Sequence, residues 1–229
     1  MTYITKEELE ATRPASEVRQ WVKAKIDEIG ITEEGKQAIR FRKGLLKELI
    51  EEALPLGIFC DAYFKSSDNV EVTHISGNQN YDVIIKDNRS NRTMLEYLEI
   101  TQAHEGENAH YRRLKFKEKG YVNYLGTVKK SGTKHTKINI DIEDEALEHN
   151  VVFNNEMQKI VEAAERKSGK FYPAHTGLVI IFDDYIAFKN NRDEDRLITF
   201  AKNKILPMLD NFEKIFIVGW SSKIYLEFK

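Results

Sequence analysis

The sequence predicts an α/β fold with a mixed central β-sheet flanked by helices. Segments with helical apolar spacing alternate along the chain with short segments rich in Val, Ile, Tyr and Phe. Their order is helix, three strands, helix, strands, helix, strand, helix and strands, which antiparallel sandwiches do not follow. Two of the strand segments are mostly apolar on both faces, as is typical of central strands covered by helices on both sides.

The first 35 residues are expected to form an N-terminal helical extension (residues 1–35) to a domain of residues 36–229. Thr5 and Glu8 have the spacing of a capping box, in which side chains satisfy free N–H groups at a helix start. A second helix is predicted over 16–29, ended by Gly30. Its apolar stripe consists of Val18, Val22, Ile26 and Ile29.

A stronger helix is predicted from Lys36 to Leu54, because six apolar residues in its second half recur at helical spacing. Pro55 and Gly57 are expected to stop this helix. The apolar face consists of Leu45, Leu46, Leu49, Ile50, Ala53 and Leu54.

Three strands are predicted next, over 70–76, 81–85 and 93–101, separated by polar turn segments. A helix from Glu107 to Lys119 follows and should end at Gly120. The remaining predicted elements are strands over 121–128 and 137–142, a helix over 155–167, a buried strand over 177–182, a helix over 193–210, and strands over 215–218 and 224–228.

The composition excludes several classes of protein. The 229 residues include 35 basic and 37 acidic side chains, so the net charge is −2 and a protein that coats polyanions over its whole surface is excluded. One cysteine, Cys60, excludes a disulfide framework and a cysteine-based zinc finger. No apolar run approaches the roughly 20 residues of a membrane span, and the N-terminus has no apolar signal region. A soluble cytoplasmic protein without a membrane partner is expected.

Asp82 and Glu99 are the candidate chemical residues, because both lie in strands whose neighbours are apolar. An unpaired carboxylate in such surroundings costs several kcal/mol or takes up a proton. A hairpin between the two strands would place the two carboxylates side by side, where each disfavours the charge of the other. A divalent cation would relieve both costs. Oxygen ligands without a nearby Cys or His cluster favour Mg2+ or Mn2+ over zinc.

A helix, three strands and a helix, with Asp82 in the second strand and Glu99-Ile100-Thr101 in the third, resemble the PD-(D/E)XK nuclease superfamily. The resemblance covers about a third of the chain, from Lys36 to Lys119, and implies a restriction-endonuclease-like core. It also implies that Asp82 and Glu99 hold the metal. A glutamate of the preceding helix, Glu48 or Glu52, would complete the site, and spacing does not decide between the two.

The sequence departs from the superfamily motif at two positions. Tyr81 stands in place of the proline, and Thr101 stands in place of the lysine that orients the attacking water. Thr101 or the following Gln102 could position a water, and Lys86 is the first candidate for a lysine that has migrated. Lys115 is a weaker candidate for that lysine, and Glu96 would replace Glu99 if the strand register differed by one residue.

A basic stretch follows the third strand. Residues 112–137 contain nine basic side chains and one acidic side chain, a local charge of +8 in a chain of net charge −2. Aromatic residues are interleaved with these cations, as in many nucleic-acid-binding surfaces, although a solvated charged face is the simpler interpretation. The candidate nucleic-acid-binding residues are Arg112, Arg113, Lys115, Lys129, Lys130 and Lys134.

Together these features predict a metal-dependent nuclease, an endonuclease that hydrolyses phosphodiester bonds in DNA with Mg2+ or Mn2+. A first alternative is a module that keeps the fold but has lost catalysis and binds DNA or a protein partner. A second is a phosphoesterase that acts on small phosphates. Cutting both strands of a duplex would favour a homodimer, since one site cuts one strand at a time.

Overall fold

The computed structural model describes residues 2–65, 67–132 and 139–229. The strands are β1 (Arg13–Pro14), β2 (Val70–His74), β3 (Val83–Asp87), β4 (Tyr97–Gln102), β5 (Val128–Ser131), β6 (Asn139–Ile142), β7 (Thr176–Phe182), β8 (Lys214–Gly219) and β9 (Tyr225–Phe228). The α-helices are α1 (Lys6–Leu9), α2 (Val18–Ile29), α3 (Glu33–Arg40), α4 (Leu46–Glu48), α5 (Leu54–Tyr63), α6 (Glu107–Lys119), α7 (His149–Glu165) and α8 (Asn191–Phe200). A π-helical segment, Leu49–Ala53, joins α4 to α5, and Ala201–Ile205 (π) and Leu206–Met208 (3-10) continue α8.

Seven of these strands form one mixed sheet in the order β1-β2-β3-β4-β7-β8-β9. Strands β1 to β4 pair antiparallel, β4, β7 and β8 pair parallel, and β9 returns antiparallel along β8. The predicted α/β class with a mixed central sheet flanked by helices is therefore confirmed.

Apolar side chains pack on both faces of the sheet. Strand β7 is buried over its whole length, and its residues alternate between two clusters. Val179 contributes to the cluster beneath α2, the π-helical segment and α5, whereas Ile180 contributes to the cluster beneath α7 and α8. This double burial explains why the strand is a continuous apolar run rather than an alternating one.

Residues of the predicted N-terminal extension, 1–35, pack on the same sheet as the rest of the chain. Leu9, Val18 and Val22 are buried in the cluster that includes Val72 of β2. Arg13–Pro14 adds a short edge strand to β2, which the sequence analysis does not predict because a two-residue strand has no periodicity.

The expected single helix over 36–54 is wrong, because it is interrupted in its middle and continues beyond residue 54. Helix α3 ends at Arg40, and the next helix runs from Leu46 through Pro55 to Tyr63. Pro55 is tolerated because the helix is π-helical just before it, so the proline begins a new α-helical turn. Gly57 does not end the helix either. A Cβ at this position would lie 2.7 Å from the Cα of Arg19, so the glycine permits the close crossing of α5 and α2.

The predicted strand over 121–128 is also wrong, because only its last residue, Val128, is in a strand. The preceding residues form turns whose carbonyl groups bond to a side chain instead of a neighbouring strand. Arg112 donates to the carbonyl oxygens of Asn123 and Gly126, at 2.8 Å each. The first residues of the predicted strand over 137–142 lie outside the described residues, and β5 and β6 form a separate hairpin.

Within the described ranges, no helix is both long enough and apolar enough to cross a bilayer.

Candidate metal centre

Asp82 and Glu99 lie side by side at adjacent strands, although Asp82 itself is just outside the strand that was predicted to contain it. Asp82 directly precedes β3, and its backbone bonds to both neighbouring strands, through Ile75 N and Leu98 O at 2.8 Å each. Its Oδ2 accepts a hydrogen bond from the backbone N–H of Ile100 at 2.6 Å. Glu99, in the middle of β4, is only 6% exposed. The backbone therefore fixes the position of the Asp82 carboxylate beside the strand that carries Glu99.

The pKa of Asp82 is affected by two other carboxylates. Burial raises its pKa well above the ordinary value, and the negative charges of Glu99 and Glu52 raise it further. The N–H of Ile100 and the charge of Lys167 act in the opposite direction and do not cancel the rise. Neighbouring carboxylates disfavour one another's charged forms, and a bound cation offsets this repulsion.

Lys167 is a cationic residue beside Glu99 that the sequence did not predict at the site. Its ammonium nitrogen contacts Glu99 Oε1 in a largely buried ion pair. Lys167 lies in the turn after α7, where its backbone N–H bonds to the carbonyl of Ala164. The sequence indicates a helix end at this position and gives no signal that the turn lies over β4, because the contact depends on the packing of α7 on the sheet.

A second group of ligands lies beside Glu52. One oxygen each of Glu48 and Glu52 and one ring nitrogen of His74 all lie within 4.8 Å of one another. His74 Nε2 is 2.7 Å from Glu52 Oε2, and Glu48 Oε2 is buried without a hydrogen-bond partner among the described residues. These are the only three such groups within that distance of one another in the described ranges. Two carboxylates and an imidazole are suitable donors for a divalent metal ion.

Glu48 and Glu52, the two candidate glutamates of the helix, therefore both lie beside His74. Of the two, Glu52 is the one whose charge acts on Asp82. His74 is a ligand candidate that the sequence analysis missed. It is buried at the end of β2, where alternate residues face the core. The only signal available was a histidine at a core-facing strand position.

Gln102 has a role different from the predicted catalytic one. Its side-chain amide donates to the carbonyl oxygens of Ile50 and Glu51, at 3.3 and 3.1 Å. Pro55 has no N–H, so a carbonyl group four or five residues before it in the helix has no backbone partner. Gln102 satisfies this deficit and thereby ties β4 to the π-helical segment that carries Glu52.

The other predicted residues of the site lie in different environments. Thr101 is buried on β4, two residues after Glu99. The side chain of Lys86 is 70% exposed and pairs with Glu71 at 3.1 Å, about 13 Å along the strand from Asp82. Glu96 is exposed, so the register places Glu99 rather than Glu96 in the interior. Lys86 therefore does not supply the missing motif lysine in this arrangement.

The hydroxyl group of Tyr172 is a further feature of this region. Burial and the charges of Glu99 and Asp82 raise its pKa. Its oxygen is buried and has no hydrogen-bond partner within the described part of the chain. The hydroxyl is therefore available to a group that binds near the two carboxylates.

The predicted basic surface is largely neutralised. Arg112 is buried and its guanidinium group bonds to Glu105 and to two backbone carbonyls, which leaves little of it exposed for the expected contact with nucleic acid. Lys115, Lys129 and Lys130 pair with Glu118, Glu143 and Glu107, respectively. Lys134 lies outside the described residues. Arg113 is half-buried and lines a cavity together with Arg40 and Arg42.

No protein family model, no curated protein sequence and no solved structure matches the chain.

Proposed function

We propose that the protein is a metal-dependent nuclease that hydrolyses phosphodiester bonds in DNA. The observation that carries this proposal is the convergence of negative charge on Asp82, whose pKa is raised by Glu99 and Glu52 after burial, together with the ammonium group beside Glu99. Nucleases that use a metal ion and a lysine need these groups within one small region. The restriction-endonuclease-like core remains part of the proposal.

The residues present suit a divalent ion. Asp82 and Glu99 would hold it, whereas Glu48, Glu52 and His74 form a second, separate donor group whose Glu52 charge acts on Asp82. The buried oxygen of Glu48 without a hydrogen-bond partner supports this donor set. When bound, Mg2+ or Mn2+ would lower the pKa of a coordinated water and offset charge on the phosphate.

The remaining chemistry belongs to the side chains of this chain. Lys167 would take the role of the motif lysine that Thr101 replaces, holding positive charge where the phosphate oxygens gain negative charge. The Tyr172 hydroxyl would donate a hydrogen bond to the same group. Thr101 and Gln102 would hold the strand and the helix segment in place rather than contact the substrate.

The Lys167–Glu99 ion pair also favours the second candidate function, a module that has kept the fold and lost catalysis. An ammonium group that already neutralises Glu99 reduces the need for a metal ion at that carboxylate. In this case the protein would bind nucleic acid or a protein partner without cutting.

A plasmid-nicking assay with Mg2+, Mn2+ or EDTA separates the two functions. The nuclease proposal expects nicking that EDTA abolishes and that falls at least a hundredfold in Asp82→Asn, Glu99→Gln and Lys167→Met. Glu96→Gln is the matched control, because Glu96 lies three residues from Glu99 and is exposed. Wild-type protein that nicks no DNA and shows no saturable Mn2+ site that is lost in Asp82→Asn would instead support the non-catalytic module.

A further inference from the structure

A cavity of about 380 Å3 lies at the carboxyl ends of the parallel strands. Its lining includes His104, which follows β4, Asp183, which follows β7, and Trp220, which follows β8. Open α/β sheets bind ligands in the crevice beyond these strand ends. The cavity also contains Gln102 and is bounded by α6 and the loop after α3, so it adjoins the candidate metal centre without sharing its carboxylates.

The lining carries an excess of positive charge. Five cations face two carboxylates: Arg40, Arg42, Arg112, Arg113 and Lys159 against Glu105 and Asp183. Arg112 and Lys159 are already engaged with Glu105. The charge that is not balanced within the lining is therefore on Arg40, Arg42 and Arg113.

Arg42 and Arg113 form the centre of this excess. Arg42 and Arg113 line the same cavity, and burial together with the positive charge of Arg42 lowers the pKa of Arg113. Glu51 pairs with Arg42 at 2.9 Å, and its negative charge also acts on Arg113. Arg113 Nε is buried without a hydrogen-bond partner among the described residues. The carboxylate of Glu51 thus acts on two guanidinium groups, and these groups retain N–H donors that can bind an anion.

Part of the lining is apolar and aromatic, with Phe116, Val122 and Trp220. The Arg40 guanidinium lies 4.6 Å from the centre of the Phe116 ring, which is a cation–π contact. The cavity therefore offers an anion site and an apolar surface within reach of one small ligand.

We propose that this cavity binds a nucleoside monophosphate unit, with the phosphate on Arg42 and Arg113 and the nucleoside along the apolar lining. A phosphate monoester carries close to two negative charges at neutral pH and accepts bidentate hydrogen bonds from guanidinium groups. The volume lies within the roughly 300–1,000 Å3 of small-ligand sites, which admits one nucleotide and excludes a duplex. The unit could be a free mononucleotide or the phosphorylated end of a strand. The inference does not depend on the proposed nuclease activity.

Isothermal titration calorimetry with deoxyadenosine monophosphate, in the presence of EDTA, tests the proposal. We expect saturable binding, at least tenfold weaker binding of deoxyadenosine, and a loss of affinity of at least tenfold in Arg42→Met and in Arg113→Met. Lys119→Met is the matched control, since it removes an exposed cation from the same helix as Arg113. Asp82→Asn should bind within twofold of wild type, which separates this site from the metal centre.

Circular dichroism establishes that each variant is folded, and Arg113→Lys, which keeps the charge and loses the planar fork, should give intermediate affinity if Arg113→Met does not fold. The proposal is overturned if deoxyadenosine binds as tightly as its monophosphate, if no binding saturates at millimolar concentration, or if the arginine variants bind like wild type. Competition by 5′-phosphorylated but not 5′-hydroxyl oligonucleotides would identify a strand end as the source. Binding of the mononucleotide alone would identify a free nucleotide.

Discussion

The ammonium group of Lys167 contacts the carboxylate of Glu99, although 68 positions separate the two residues in the chain. The carboxylate is buried and the ammonium is largely so, with 8% and 18% of their side-chain surfaces exposed. Removing one partner of a buried ion pair leaves an uncompensated charge, which costs more than the pair itself contributes. The contact therefore links the stability of the fold to the composition of the candidate site.

Lys167→Met should lower the free energy of unfolding by about 3 kcal/mol, because Glu99 would remain buried without its cation. The double variant Lys167→Met/Glu99→Gln should recover most of this loss, since no charge is then left unpaired. Urea denaturation measures both values. Lys170→Met, in the same turn and exposed, should lie within about 0.5 kcal/mol of wild type. A single variant as stable as wild type would show that the pair is not formed.

Asp82→Asn should stabilise the metal-free protein at neutral pH. The folded-state pKa of Asp82 is raised, by burial first and then by Glu99 and Glu52. Its stabilising contribution is therefore complete below the unfolded-state pKa and is lost as the pH rises through the folded-state pKa. The asparagine keeps an oxygen for the Ile100 N–H and has no charge to lose, so its stability should vary less over this pH range.

Thermal unfolding between pH 4 and 8, with and without Mn2+, measures this difference. In the wild type, Mn2+ should raise the melting temperature most at the higher pH values, where Asp82 must otherwise ionise without compensation. In Asp82→Asn the stabilisation by Mn2+ should be lost. Equal stabilisation of the two proteins by Mn2+ would exclude Asp82 as a ligand.

Gln102→Leu should lower the free energy of unfolding by about 1–3 kcal/mol, because the carbonyl groups of Ile50 and Glu51 would lose their donor inside the protein. Affinity for Mn2+ should fall as well, since the same helix segment carries Glu52. Gln158→Leu, at an exposed helix position, is the control and should change neither quantity. A stability loss without any change in Mn2+ affinity would mean that Glu52 is positioned independently of Gln102.

The sequence predicted most of the sheet and the adjacency of Asp82 and Glu99, but not the groups that contact them, and the difference has a physical origin. Strand β7 and helix α6 are apparent from apolar runs and a terminal glycine, which are local properties. Asp82 and Glu99 were predictable because charge is unusual within apolar strands. Lys167 was not predictable, since its position depends on how a helix packs far along the chain.

The basic stretch illustrates the opposite error. A count of cations between 112 and 137 is a property of the sequence, whereas their availability depends on acids that come close only in the folded protein. Lys129 pairs with Glu143 across the β5–β6 hairpin, and Lys130 pairs with Glu107 of α6. The prediction that the helix ends at Pro55 is wrong for a related reason. The donor that compensates for the missing N–H of the proline is Gln102, which lies on a distant strand.

The imidazole of His74 should make the metal centre prefer Mn2+ to Mg2+. Mg2+ binds oxygen ligands almost exclusively, whereas Mn2+ binds an imidazole nitrogen more readily, and a ring nitrogen of His74 lies within 4.8 Å of carboxylate oxygens of Glu48 and Glu52. His74→Gln should therefore weaken Mn2+ binding at least tenfold and change Mg2+ binding much less. His110→Gln, which alters an exposed histidine, serves as the control in the same calorimetric titration. Equal losses for both ions would show that His74 supports the fold around the glutamates and does not ligate the metal.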